Sequence, residues 1–187
     1  MKLGAVLMAS GFGRRFGGNK LLYPVDGVPM AERVFRALPP ALFARACVVS
    51  AYPEVLALAG ARGYIPVHNP HAAEGRAASV RLGLERMADM DGVLFAVCDQ
   101  PWLRRESVER LLAGFAAHPE SIHALGFRGR RGNPAVFPAA LFPELLALTG
   151  EEGGGKVMKA RPGLVRLTEA ADPRELLDVD RPADLDV

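Results

Sequence analysis

The amino-acid sequence predicts an α/β fold of three layers, a mostly parallel central sheet with helices on both faces. Two observations predict it. Short apolar runs alternate along the chain with longer helical patterns, the order that a parallel sheet with crossover helices produces. Several runs are continuously apolar, Val93-Leu94-Phe95-Ala96-Val97-Cys98 above all, as strands covered on both faces must be.

The first strand is expected over residues 3–8. Met1 to Met8 resembles a signal peptide superficially, but its apolar run is short and meets a loop rich in glycine and arginine, with no small-residue cleavage site. A helix over 29–38 leads to a strand at 46–50, a helix over 53–61 to a strand at 64–68, and a helix over 76–88 to the strand at 92–98. The helix expected over 104–118 repeats Val108, Leu111, Leu112 and Phe115 at helical spacing, the stripe of a helix lying on a core. A strand at 122–127 and a helix over 138–149 follow. The glycine-rich stretch at 150–155 is too short to separate two domains, so residues 1–187 are read as one domain.

Bulk properties narrow the function. Half of the residues are hydrophobic, enough for a substantial core. The formal net charge is only +2, which demands neither nucleic acid nor an anionic membrane surface. No apolar stretch is long enough to span a bilayer. Cys47 and Cys98 form no CxxC pair, which fits a reducing, cytoplasmic compartment. His68, His71, His118 and His123 form no zinc set, and neither a GxSxG elbow nor an HExxH motif is present.

In an open parallel sheet, ligands sit beyond the carboxyl ends of the strands, which directs attention to the loops after residues 8, 50, 68 and 98. The first runs Met8-Ala9-Ser10-Gly11-Phe12-Gly13-Arg14-Arg15-Phe16-Gly17-Gly18-Asn19-Lys20. Glycines let backbone N–H groups approach an anion, and arginine and lysine add fixed charge. Phosphate binding is a better reading than a flexible turn with solvated arginines, although the loop fits neither the dinucleotide-binding nor the P-loop pattern. Asp99, in Cys98-Asp99-Gln100-Pro101, directly follows the most apolar strand. It suits a Mg²⁺ ligand and a helix N-cap equally. Asn69 to Arg81 runs from a loop into a helix of small residues, for which ordinary packing is the simpler reading. Arg128-Gly129-Arg130-Arg131-Gly132-Asn133-Pro134 is read as a short connection, either a clamp for an anionic substrate or a solvated hairpin tip. Gly150 to Lys156 matches GxxxxGK, but Val157 stands where the hydroxyl belongs and no strand precedes it, so it is not a P-loop.

Together these segments resemble the nucleotidyltransferases of molybdenum cofactor maturation, and within them the cytidylyl branch. Met8-Ala9-Ser10-Gly11 through Arg15-Phe16-Gly17 and Lys20 follows the family's opening motif, and Lys20-Leu21-Leu22-Tyr23-Pro24 continues its cytidylyl version. Asn69-Pro70, Gly75, Ser79-Val80-Arg81 and Gly83-Leu84 match its middle segment. Cys98-Asp99-Gln100-Pro101-Trp102-Leu103 matches a D-Q-P box, and Gly132-Asn133-Pro134-Ala135-Val136-Phe137 a G-N-P box. Asp178-Val179-Asp180-Arg181-Pro182-Ala183-Asp184-Leu185 resembles the closing segment. The match runs nearly the whole chain in order. Departures are Met8 and Ser10 in the first box, Gly150-Glu151-Glu152-Gly153-Gly154-Gly155-Lys156 in place of G-D-x-G-A-R, and Arg181 in place of threonine.

The resemblance implies a three-layer, Rossmann-like nucleotidyltransferase fold that uses an NTP, CTP foremost, with Mg²⁺. It implies CMP transfer to the phosphate of molybdopterin and release of pyrophosphate. The product would pass to a molybdoenzyme or its maturation chaperone. Arg15, Lys20 and Asp99 are then the catalytic candidates. Met8, Ala9, Ser10, Gly11, Gly13, Arg15, Lys20, Asn69 and Ser79 are the nucleotide-binding candidates, and Asp99 with Asp178 or Asp180 the metal ligands. A guanylyltransferase or sugar-phosphate nucleotidyltransferase of the same superfamily is the first alternative. A non-catalytic cofactor-binding chaperone is the second, and Arg15, Lys20 and Asp99 together argue against it.

Overall fold

The computed structural model describes residues 1–11, 16 and 18–186. Its strands are β1 (Leu3–Met8), β2 (Pro24–Val25), β3 (Val28–Pro29), β4 (Arg45–Ser50), β5 (Ile65–His68), β6 (Gly92–Val97), β7 (Ile122–Phe127), β8 (Arg130–Pro138) and β9 (Val165–Glu169). Its helices are α1 (Met30–Ala37), α2 (Pro53–Ala61), α3 (Arg76–Glu85), α4 (Arg105–Ala117), α5 (Phe142–Leu146) and α6 (Gly154–Ala160). Seven strands form one sheet in the order β5-β4-β1-β6-β8-β7-β9. Strand β8 runs antiparallel to both of its neighbours, and the other pairings in this sheet are parallel.

The period of two along β1 explains the layering. Ala5 and Leu7 face one side and join a core with Val34 of α1, Val55 of α2 and Phe115 of α4. Val6 faces the other side and joins Leu84 of α3, Leu145 of α5 and Met158 of α6. Each of these side chains larger than alanine contributes roughly 1.5–3 kcal/mol when fully buried. Gly83 sets the spacing of α3 on β1, since a Cβ there would lie 2.3 Å from Val6 Cγ1. Helix α4 buries Val108, Leu111 and Phe115 completely, the stripe expected from their spacing.

Two segments differ from the sequence expectation. The turn after β7 is confined to Arg128 and Gly129, both at positive φ. The chain from Arg130 onward is β8 rather than a connection. Gly132 and Pro134 disguise it, and Ala135 nevertheless pairs with Phe95 in the ladder to β6. The helix expected over 138–149 is a single 3₁₀ turn followed by α5, which covers only Phe142–Leu146.

Candidate active site

The loop leaving β1 is tied to β4 before it meets any ligand. Ala9 N donates to Val49 O at 2.8 Å, Ser50 Oγ donates to Ala9 O at 2.8 Å, and Ser10 Oγ donates to Val49 O at 3.2 Å. The chain returns through Gly18 and Asn19 into one 3₁₀ turn, Lys20–Leu22, where Asn19 Oδ1 accepts from Leu21 N at 3.2 Å. That turn aims Lys20 at the carboxyl end of β6.

Lys20 is the centre of the site. Its Nζ donates to Asp99 Oδ2 at 2.8 Å, to Asp180 Oδ1 at 2.9 Å and to Val179 O at 3.0 Å, and its side chain is only 5% exposed. Burial by itself would lower the Lys20 pKa. The Asp99 charge and the hydrogen bonds to Asp99 and Asp180 outweigh it, so the pKa is raised and the ammonium is locked in. The C-terminal segment is clipped in place by Val179 N donating to Asp99 O at 2.9 Å. Gln100 Nε2 donates to Asp178 Oδ1 at 2.8 Å and to Leu176 O at 3.3 Å. Burial and then the nearby Asp99 charge push the Asp178 carboxyl up, against the pull of Gln100. Cys98 borders the same cleft, but burial pushes its thiol far up, so it is no nucleophile.

The cleft holds about 420 Å³. Met8, Ala9, Ser10, Gly11, Lys20 and Asp99 line one wall, and Gly75, Arg76, Ser79 and Glu151 are among the residues of the other. Gly75 adopts φ +103°, and a Cβ there would fall 2.4 Å from the Gly150 carbonyl. Glycine therefore lets residue 150 dock on the start of α3, where Ala77 N donates to Gly150 O at 3.0 Å. Asn69 is buried behind this wall, and its Nδ2 donates to Ser79 Oγ at 3.0 Å.

The structure thus brings Met8, Ala9, Ser10, Gly11, Lys20, Ser79 and Asp99 to one cleft, with Asp178 and Asp180 behind Lys20. Gly13 and Arg15 lie outside the described residues. Sequence reasoning gave no role to Arg76, Glu151 or Gln100. Arg76 stands in a segment that reads as plain helix packing, and only its place at a helix start beyond a strand end signals otherwise.

The donor set fits a divalent cation that is also held by phosphate. Asp99 Oδ1 is buried and meets no donor among the described residues. No group of three or more His, Cys, Asp or Glu among the described residues is arranged to hold a metal. Mg²⁺ needs no such cage, because it takes one or two carboxylates and completes its shell with phosphate oxygens and water.

The MobA-like NTP transferase domain matches residues 5–167. The chain is 30% identical to the purine catabolism protein PucB of Bacillus subtilis, over 97% of this chain and 93% of that protein. It is 28% identical to the molybdenum cofactor guanylyltransferase of Rhodobacter capsulatus, over 99% and 94%. A nucleotidyl transferase from Methanothermobacter superposes with a TM-score of 0.80 at 26% identity, covering 98% of this chain and 94% of that one. Rv0371c of Mycobacterium tuberculosis in complex with manganese also superposes with a TM-score of 0.80, at 23% identity, covering 98% and 96%. In the described residues no helix is long and apolar enough to cross a membrane. The chain belongs to the MobA-like NTP transferase family, and nucleotidyl transfer is its reaction class.

Proposed function

We propose that this member of the MobA-like NTP transferase family transfers CMP from CTP to the phosphate of a molybdopterin-type acceptor and releases pyrophosphate. One observation carries the reading. The Lys20 ammonium is fixed by Asp99, Asp180 and Val179 O at the carboxyl edge of the sheet, beside an Asp99 oxygen that meets no donor among the described residues.

A preorganised cation at that place offsets the negative charge that builds on the α-phosphate and on the departing pyrophosphate. Backbone N–H groups around Gly11 cradle the triphosphate, and Arg15 adds charge to it by the family resemblance. Ser79 meets the nucleoside from the opposite wall, and Asn69 orients it. Asp99, with Asp178 or Asp180, would hold Mg²⁺, which would neutralise phosphate oxygens when bound. An oxygen of the acceptor phosphate forms the new bond to the α-phosphorus. The bond from that phosphorus to the bridging oxygen breaks, and pyrophosphate leaves with the electron pair. A phosphomonoester has a second pKa of about 6, so it attacks as the dianion at neutral pH and needs no general base.

CTP is preferred on two grounds. The first is that Lys20-Leu21-Leu22 resembles the cytidylyl branch, and the second that Asp99-Gln100-Pro101 does so too. GTP is the second reading, favoured by the 28% identical guanylyltransferase relative. Residues 1–187 act as one cytoplasmic domain and deliver product to a molybdoenzyme or its maturation chaperone. Pyrophosphate release is measured with each NTP, Mg²⁺ and molybdenum cofactor extracted from a molybdoenzyme. Release with CTP that depends on the extracted cofactor is expected. A GTP preference moves the chain to the guanylyl reading, and no release with any NTP overturns the proposal.

A further inference from the structure

A second cavity, of about 240 Å³, adjoins the cleft, and Met8, Arg76 and Val97 border both. Its lining is part polar and part apolar, with Val80, Phe95, Phe137, Leu145 and Met158 among the apolar part. Two guanidiniums border it, Arg76 from α3 and Arg131 from β8. The β8 register explains the second. Ala135 sits opposite Phe95, so residues 131–133 reach the level where β6 ends.

The family's arginine in G-D-x-G-A-R is replaced here by Lys156, and Lys156 does not border either cavity. Its Nζ turns to Glu152 at 2.6 Å, on a side chain that is 60% exposed. Neither Arg76 nor Arg131 spends its guanidinium on a protein partner among the described residues. Arg76 lies across Gly153, where an added Cβ would come within 3.1 Å of its Cδ. Gly153 therefore leaves Arg76 room to stand between the two cavities.

We propose that Arg76 and Arg131, and not Lys156, form the anion clamp of an acceptor subsite in this second cavity. The subsite takes a phosphomonoester that carries a planar, largely apolar group. Arg76 holds the phosphate at the junction with the nucleotide cleft, Arg131 closes the mouth, and the Phe95 and Phe137 side packs the ring. Guanidinium suits this task because its planar fork meets two phosphate oxygens at once. The inference rests on the nucleotidyl-transfer reading, since it assigns that reaction's second substrate.

The probe is phenyl phosphate at pH 8. It is titrated calorimetrically into the protein saturated with Mg²⁺ and a CTP analogue whose α–β bridging oxygen is a methylene. Phenol and inorganic phosphate are the controls. Saturable binding of phenyl phosphate is expected, tighter than either control. It should weaken by about tenfold or more in Arg76→Gln and in Arg131→Gln, as loss of a charged contact does, and stay unchanged in Lys156→Ala. Both arginines are exposed, so both variants should melt like the wild type. Wild-type affinity for phenyl phosphate in both arginine variants, or loss in Lys156→Ala, overturns the clamp. Inorganic phosphate that binds as tightly as phenyl phosphate overturns the apolar half of the subsite. Analogue binding with no phenyl phosphate response overturns the subsite alone, whereas failure of both this analogue and its GTP counterpart to bind overturns the nucleotidyl-transfer reading and the subsite with it.

Discussion

Two segments of this chain end in the same way, Gly17-Gly18-Asn19-Lys20 and Gly153-Gly154-Gly155-Lys156. Locally they are near twins, yet the two lysines have opposite fates. Lys20 is 5% exposed and meets three acceptors, whereas Lys156 is 60% exposed and meets Glu152, one helical turn away. The difference arises elsewhere in the chain. Asp99 and Asp180 come from 79 and 160 residues further on, and the sheet brings them to Lys20. A glycine-rich lysine segment yields a buried, ion-paired ammonium here only where the topology delivers carboxylates and closes off water.

The sharpest way to break this comparison is kinetic. Lys20→Ala should lower kcat by roughly 10²–10³ while raising the CTP KM less, because the charge Lys20 meets grows in the transition state. Asp99→Ala should abolish turnover while the fold survives, with a melting temperature lowered by loss of the ion pair with Lys20. Steady-state kinetics and a thermal melt on both variants decide it. Helix α4 starts at Arg105 with Arg104 as its N-cap, so Asp99 is no helix cap, and normal turnover in Asp99→Ala would reduce Asp99 to a structural counter-ion of Lys20.

Stability gives a second, smaller contrast. Lys20→Met leaves Asp99 and Asp180 without their shared cation. Breaking a fully buried pair costs about 3–5 kcal/mol, and about 2 kcal/mol is expected here, because Asp180 is 58% exposed. The folded Lys20 pKa lies above its ordinary 10.5. Its contribution is therefore fully present below that value and is lost only as pH rises through the folded pKa. Urea melts of wild type and Lys20→Met should differ by the same amount at pH 7 and pH 9 and converge only above pH 10.5. A gap that closes between pH 7 and 9 would mean that the ammonium is not locked in.

Much of this was legible in the sequence, for identifiable reasons. Strands β1 and β6 announce themselves because both faces are buried, which leaves unbroken apolar runs. Strand β8 is hidden because Arg130, Arg131, Gly132, Asn133 and Pro134 carry the signals of a loop, although Arg130 and Arg131 pair with Phe127 and Gly126 of β7, and pairing to both β6 and β7 resumes at Ala135. The alternation over Val165-Arg166-Leu167-Thr168-Glu169 is too short to stand out, and β9 is paired on one side only. Lys20 and Asp99 are legible through the family motifs. That Lys20 also takes Val179 O, and that Gln100 holds Asp178, depends on contacts across more than 70 residues, which no local pattern encodes. Arg76 is invisible for a related reason: its meaning comes from two cavities that exist only after folding.

The glycines of the two segments also part ways. A Cβ at Gly154 would lie 2.6 Å from the buried Phe137 ring, whereas one at Gly18 would meet nothing within 4 Å. Gly154→Ala should therefore cost about 1–2 kcal/mol through overpacking. Gly18→Ala should leave stability within roughly 0.5 kcal/mol. Any loss of CTP affinity in Gly18→Ala then reports a ligand against that loop, which calorimetry with the CTP analogue reads directly. Equal destabilisation by both changes would show that the first loop is as tightly packed as the second.

The smallest expected effect is the most discriminating for the twin segments. Lys156 and Glu152 are four residues apart, with the Lys156 side chain well exposed and that of Glu152 partly so. Such a pair contributes about 0.3–0.5 kcal/mol at low salt. The Debye length falls to about 3 Å at 1 M ionic strength, which screens most of that. Lys156→Ala should therefore lower the unfolding free energy by no more than roughly 0.5 kcal/mol in 50 mM salt, by less in 1 M salt, and leave kcat with CTP unchanged. Denaturant melts at the two salt concentrations, with kinetics on the same preparation, measure all three. A salt-independent loss above about 1 kcal/mol would place Lys156 in a desolvated contact like that of Lys20. A fall in kcat would return it to the anion-binding role that its Glu152 partner and outward turn deny it.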